Sequence, residues 1–298
     1  MAELYEQGTI VRAMSGFYDV DTGTETVRCR ARGKFRKEGL TPLVGDGARF
    51  LRSGDQGYLQ ELLPRKNHFI RPAVSNVDAL VMLAAQVNPV TEPFLIDRVA
   101  AIAAVQGVEL ILALNKCDLD PAEKLFEIYR DTGMQVLRVS AKTGEGVDDL
   151  KKLLSGRLVA FTGNSGVGKS SLLNRLYPEA HMPVGEVSEK LGRGRHTTRH
   201  TELFSLPDGT RIMDTPGFSA FDTDQMDLGE PSQLCLAFPE FAPYLGRCRF
   251  DDCAHVKEQG CAVLEALRAG AIQSSRHESY VRLYEKAKEI KAWERKKD

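Results

Sequence analysis

The segment Gly163-Asn164-Ser165-Gly166-Val167-Gly168-Lys169-Ser170 sets glycines, a lysine and a hydroxyl at the spacing that cradles a polyphosphate. Glycines let backbone N–H groups approach the phosphates, the Lys169 ammonium neutralises their charge, and the Ser170 hydroxyl can ligate Mg²⁺. The expected contact set runs on to Ser171. Further along, Asp214-Thr-Pro-Gly217 closes an apolar run. There Asp214 can hold the Mg²⁺ shell through water, and the Gly217 N–H can meet a γ-phosphate. Asn115-Lys116-Cys117-Asp118 supplies base selection. A carboxylate at 118 accepts both N1–H and N2–H₂ of guanine, which adenine cannot offer, so ATP is disfavoured. Asn115 would brace neighbouring loops, and the Lys116 stem would cover the base. Ser140-Ala141-Lys142 suits a loop whose backbone N–H reads guanine O6. A glycine-rich turn alone would not account for these motifs in one register, and together they imply GTP/GDP with Mg²⁺.

The guanine-reading motif precedes the phosphate loop, so the nucleotide domain is circularly permuted. Between the phosphate loop and Asp214 lies Gly192-Arg-Gly-Arg-His-Thr-Thr-Arg-His200. A segment in this position should close a threonine hydroxyl on Mg²⁺ when the γ-phosphate is present. Thr198 is the expected residue, with Thr197 second. Position 218, where many GTPases carry a water-orienting Gln, is Phe218. The catalytic polar group is therefore sought elsewhere, at His196. The competing reading of His196 is an ordinary RNA- or phosphate-contacting histidine.

Cys248, Cys253, His255 and Cys261 supply three thiolates and an imidazole, a closed tetrahedral set for one structural Zn²⁺. The alternative is a group of unrelated reduced cysteines. A metal would supply folding free energy to a segment with few core residues.

These residues need elements to position them. Short β segments over 8–63, split by glycine turns, suggest a small OB-type barrel. In its third strand Val27, Cys29, Ala31 and Phe35 alternate with Arg28, Arg30, Arg32, Lys34 and Arg36. Period two gives one apolar face and one row of cations, read as contact with a nucleic-acid backbone rather than as a merely solvated face. From 77 to 214, buried-type strands alternate with helical stretches, the pattern of a doubly wound, mostly parallel sheet. Beyond Phe221 the β pattern stops, and helices are expected at 263–272 and 277–297. The expected architecture is an OB-like barrel over 1–67, a circularly permuted α/β P-loop GTPase domain over 68–222, and an α-helical zinc-binding domain over 223–298.

Composition bounds the rest. The chain has 298 residues, 42% hydrophobic, with a formal net charge of −1, so any nucleic-acid contact must come from local patches. It shows neither a signal peptide nor an eighteen-residue apolar run. A cytoplasmic address without membrane association is expected.

The motif order, the 192–200 segment, the barrel and the Cys/His cluster together resemble the RsgA (YjeQ/YloQ) family of bacterial, circularly permuted GTPases, over essentially the whole chain. The resemblance implies a late assembly factor of the small ribosomal subunit. Such a factor binds near the decoding region and hydrolyses GTP weakly until the subunit stimulates it. It assigns nucleotide roles to Asn115, Asp118, Ser140, Gly163, Lys169, Ser170, Asp214 and Gly217. Zinc ligation falls to Cys248, Cys253, His255 and Cys261, and the switch histidine is His196. The implied partner is the small subunit with its 16S rRNA, bound by a monomer without DNA. Two rival readings remain open at this level. One is a GTPase switch in metal or membrane trafficking. The other is a nucleotide-regulated RNA-binding module with negligible catalysis.

Overall fold

The computed structural model describes residues 5–69, 73–178, 202–214 and 228–289, and no side chain is described at Arg36 or Asp214. His196, Thr197, Thr198, Gly217 and the basic 192–200 segment lie outside the described residues.

Five strands build the N-terminal barrel: β1 (Glu6–Met14), β2 (Phe17–Asp21), β3 (Thr26–Ala31), β4 (Gly47–Ser53) and β5 (Gln56–Leu62). They pair in the order β1-β2-β3-β5-β4, and β4 returns to β1 to close the ring. All these pairings are antiparallel except β3 with β5. The alternation in β3 buries Val27 and Cys29 and exposes Arg28 and Arg30. The interior is narrow. A Cβ on Gly57 would sit 2.6 Å from the Cys29 sulfur and 2.8 Å from the Phe50 ring, so glycine is required there.

The cation row does not continue as strand. β3 ends at Ala31, and Gly33–Lys37 forms a short helix, α1. Phe35 is buried in the barrel core, which takes precedence over extending the two-residue alternation.

A small hairpin, β6 (His68–Phe69) with β7 (Val74–Ser75), leads into the central sheet. That sheet holds β8 (Ala79–Ala84), β9 (Glu109–Leu114), β10 (Gln135–Arg138), β11 (Leu158–Gly163), β12 (Glu202–Ser205) and β13 (Arg211–Asp214). Its order is β10-β9-β8-β11-β13-β12, parallel throughout except for β12. The helices are α2 (Pro93–Val105), α3 (Glu123–Tyr129), α4 (Val147–Leu154) and α5 (Lys169–Leu176). Strands buried on both faces read as continuous apolar runs. In β8, Leu80, Met82 and Ala84 pack on one side, and Ala79, Val81 and Leu83 on the other. The second side is covered by Leu150 and Leu154 of α4 and by Leu172, Leu173 and Leu176 of α5.

The first side carries the C-terminal segment. Turns of 3-10 helix at Pro231–Ala237 and Pro239–Tyr244 precede α6 (Ala262–Arg268) and α7 (Ser274–Glu289). Phe238, Phe241, Tyr280 and Leu283 share one core with Val99 and Ile102 of α2. Within that contact Arg276, 1% exposed, donates to Asp97 at 2.7 Å and to Glu240 at 2.7 and 3.1 Å. Tyr129 adds a hydrogen bond to Asp97 at 2.8 Å. Burial opposes the charge, yet the two carboxylates hold Arg276 protonated.

The barrel is tied down at two places. Arg12 of β1 pairs in register with Glu202 of β12. Asp46, fully buried, accepts from Arg65 at 2.7 Å, from the Ser75 hydroxyl at 2.6 Å and from the Leu43 N–H at 2.7 Å. Gly45, at φ +96°, permits the approach, since a Cβ there would lie 2.2 Å from the Ser75 carbonyl oxygen.

Candidate nucleotide site and metal centre

The phosphate loop joins the central strand β11 to α5. Gly163 has φ +146°, and a Cβ there would lie 2.4 Å from the Leu83 carbonyl oxygen. Gly168 has φ +98°, and its Cβ would lie 2.4 Å from Asn115 Nδ2. Both positions therefore exclude a side chain. The loop passes through Asn164 and Ser165, and Lys169 and Ser170 open α5. The backbone N–H groups of a helix start point outward along its axis, an orientation that suits a phosphate.

Asn115, at the end of β9, is 2% exposed and holds two loops at once. Its Nδ2 donates to the Val167 carbonyl at 2.8 Å, and its Oδ1 accepts the Ala141 N–H at 3.1 Å. Lys116, at φ +67°, donates to the Gly166 carbonyl at 2.9 Å and to that of Asn88. Its stem therefore lies across from the phosphate loop. Asp118 is aimed by Ser140, whose hydroxyl donates to Oδ1 at 2.6 Å and accepts the Thr143 N–H at 3.0 Å. Lys142 Nζ stands 4.0 Å from Asp118 Oδ2.

These residues line a cavity of about 280 Å³ that brings together Asn115, Lys116, Asp118, Ala141, Lys142, Gly168 and Ser171. Its wall also includes Leu119, which is 64% exposed and was not singled out from sequence. The sequence signal for it is its position directly after the base-reading carboxylate Asp118. Asn88 and Thr143 were also missed, because they contribute only backbone groups. A second cleft of about 380 Å³ lies where β12 meets the barrel strands β1 to β3. It is lined by Asp19, Asp21 and Glu202 against Arg12, a net negative wall that would repel a polyphosphate. The β13 backbone ends at Asp214 beside β11, on the phosphate-loop side of the sheet.

The ligand atoms of Cys248, Cys253, His255 and Cys261 all lie within 4.8 Å of one another. Cys248 Sγ is 3.5 Å from His255 Nδ1 and 3.9 Å from Cys261 Sγ, and His255 Nδ1 is 3.4 Å from Cys261 Sγ. A tetrahedron with zinc–ligand bonds of about 2.0–2.3 Å has edges of roughly 3.5–3.8 Å. The cluster therefore fits Zn²⁺, with Nδ1 as the imidazole donor. Burial pushes the Cys253 thiol up to about 12 and raises Cys261, so a cation is needed to hold thiolates there. Outside the ligands, His277 Nε2 meets the His255 carbonyl at 2.8 Å. Tyr280 donates to the Ala254 carbonyl at 2.7 Å. Both come from α7, which anchors the metal loop to the shared core.

The expected RNA-facing cations are unequal. Arg28 is held by Asp19 at 2.9 Å, and Lys34 lies 3.8 Å from Glu38. Arg30 packs its guanidinium over Phe17, 4.8 Å from the ring centroid. Arg32 is exposed just past the end of β3.

A closed five-stranded barrel, a phosphate loop on a sheet entered from its guanine-reading side, and a Cys₃His cluster define a circularly permuted P-loop GTPase with a metal-bearing C-terminal segment. Comparison with known proteins agrees. The RsgA GTPase family model matches residues 62–224, and the RsgA N-terminal domain model matches residues 7–59. The chain is 42% identical over 287 residues to the small ribosomal subunit biogenesis GTPase RsgA of Caldanaerobacter subterraneus, covering 95% of this chain and 96% of that one. The crystal structure of YjeQ from Thermotoga maritima superposes with a TM-score of 0.81 at 33% identity, over 97% of this chain and all of that one. YloQ, described as a circularly permuted GTPase, gives 0.77 at 33% identity over 97% of this chain and 96% of that one. The chain belongs to the RsgA GTPase family. It is a GTP hydrolase that uses GTP/GDP, Mg²⁺ and one zinc ion.

Proposed function

We propose that this chain is a GTP-gated factor in late assembly of the small ribosomal subunit, binding 16S rRNA and hydrolysing GTP faster when docked. The observation that carries the nucleotide half is the Asn115 bridge, which sets the phosphate loop and the 140–142 loop at a fixed separation. The assembly half is supported by the relatives' names, which specify small ribosomal subunit biogenesis. Asp118 and Ser140 select guanine, Lys169 and the loop glycines hold the phosphates, and Ser170 with Thr198 ligates Mg²⁺. His196 or an rRNA group completes the water-activating set on the subunit. The proposed units are 1–67, 68–222 and 223–298, and the buried cluster that joins α2 to α7 belongs to the last two. The working form is a monomer in the cytoplasm, without DNA or membrane. Among the described residues no helix is long and apolar enough to cross a bilayer.

GTP turnover with and without purified small subunits is the direct test. Stimulation by the subunit is expected, and unchanged turnover rejects the reading. His196→Ala should lose stimulation while GTP still binds; retained stimulation would move catalysis elsewhere.

A further inference from the structure

One feature of the barrel has no part in nucleotide binding. Phe17 of β2, Arg30 of β3 and Tyr58 of β5 are direct cross-strand partners in one row. Cross-strand partners share a face, with Cβ atoms roughly 5 Å apart. Burial says which face. Their chain neighbours Cys29, Gly57 and Leu59 are buried, whereas Arg30 is exposed and Tyr58 is 41% exposed. Two aromatic rings therefore flank a guanidinium on the outer surface, with Arg30 already 4.8 Å from the Phe17 centroid. Phe17 and Tyr58 belong to none of the buried clusters.

We infer that Phe17, Arg30 and Tyr58 form a stacking platform for unpaired bases of single-stranded RNA. Aromatic faces and a planar guanidinium accept any base by stacking, and a cationic margin draws in the backbone. That margin is present in Arg30 and exposed Arg32, neither of which is paired with a carboxylate among the described residues. Two acids beside this row are engaged, Asp19 by Arg28 and Glu61 by Arg49. A purely electrostatic footprint would not need a half-buried Phe17 and an exposed Tyr58 in register with the arginine. The inference deepens the rRNA reading above and rests on it.

The test uses the full chain, loaded with GDP and zinc, and a single-stranded oligoribonucleotide containing 2-aminopurine, with a duplex of equal length beside it. Wild type should bind the single strand more tightly and quench the probe by stacking. Tyr58→Ala should raise Kd roughly tenfold and relieve the quenching, while Tyr58→Phe retains both. The salt slope should stay unchanged in Tyr58→Ala but fall by about 0.7 in Arg32→Ala. Tyr58 lies on β5 of the barrel and not in the wall of the nucleotide cavity, so GTP turnover of the free chain should not change. If wild type binds neither RNA nor the subunit, the rRNA reading itself fails. If it binds and Tyr58→Ala binds equally, the platform is wrong. Loss of subunit binding with unchanged oligonucleotide affinity would put a protein on this face and also overturn the platform.

Discussion

Asn115 and Gly168 should be energetically coupled, and a double-mutant cycle can measure it. Asn115→Ala removes the donor to the Val167 carbonyl, whose residue is fully buried, and the acceptor of the Ala141 N–H. An unsatisfied buried carbonyl costs about 1–3 kcal/mol. The Ala141 N–H borders the cavity and can take a water, at about 0.5–1.5 kcal/mol. Gly168→Ala acts on the same contact from the other side. It places a side chain at φ +98°, and its Cβ would meet Asn115 Nδ2 at 2.4 Å, expelling the amide. The backbone strain contributes about 1–3 kcal/mol, and the lost amide bonds add to it. In the Asn115→Ala background the obstructing amide is absent, and only the strain remains. The double mutant should therefore be less destabilised than the sum by about 1–3 kcal/mol, within the range for residues in contact. Urea unfolding and binding of a fluorescent GDP analogue, measured on the four proteins, read this out. Additivity to within about 0.5 kcal/mol would refute the bridge as the element that joins the two loops.

Other outcomes follow from the same geometry. Ser140→Ala frees the Asp118 carboxylate from its 2.6 Å hydrogen bond and should weaken GDP binding by about 1–2 kcal/mol, seen in the same titration. The loss should be smaller for an inosine nucleotide, which lacks the N2 amine; an equal loss for both would argue against aiming of Asp118. Arg276→Ala strands Asp97 and Glu240 and should cost about 3–5 kcal/mol, whereas Arg276→Met with Asp97→Leu and Glu240→Gln should recover much of it in thermal melts. Cys261→Ser, or a strong chelator, should release one zinc equivalent in a metal-dye assay and loosen α7, followed by amide exchange at 277–283. Retained protection there would show that the shared core holds α7 without the metal.

Much of the site was legible because its chemistry is local. A phosphate loop needs glycines, lysine and a hydroxyl within a single turn, and Pro93–Val105 is bounded as a helix by its own proline and apolar period. Leu119 and the backbone donors and acceptors at Asn88, Val167 and Thr143 were less visible, since any side chain can sit on a carbonyl that a fold happens to aim. The strand expected to run through Arg36 stopped at Ala31 because Phe35 had a barrel interior to fill, a long-range reward that two-residue alternation does not record.

Chain order alone settles that the nucleotide domain is permuted, that its base is guanine and that Cys248, Cys253, His255 and Cys261 are candidate metal ligands. Each of these rests on residue type and short spacing. The fold supplies what depends on distant pairings. It joins Asn115 to Val167 and Ala141, buries Arg276 between Asp97 and Glu240, and sets Phe17, Arg30 and Tyr58 in one row. It also merges the metal-bearing segment with α2 in a single core. Such contacts join residues far apart in the chain, and their geometry comes from sheet register and helix packing rather than from any motif.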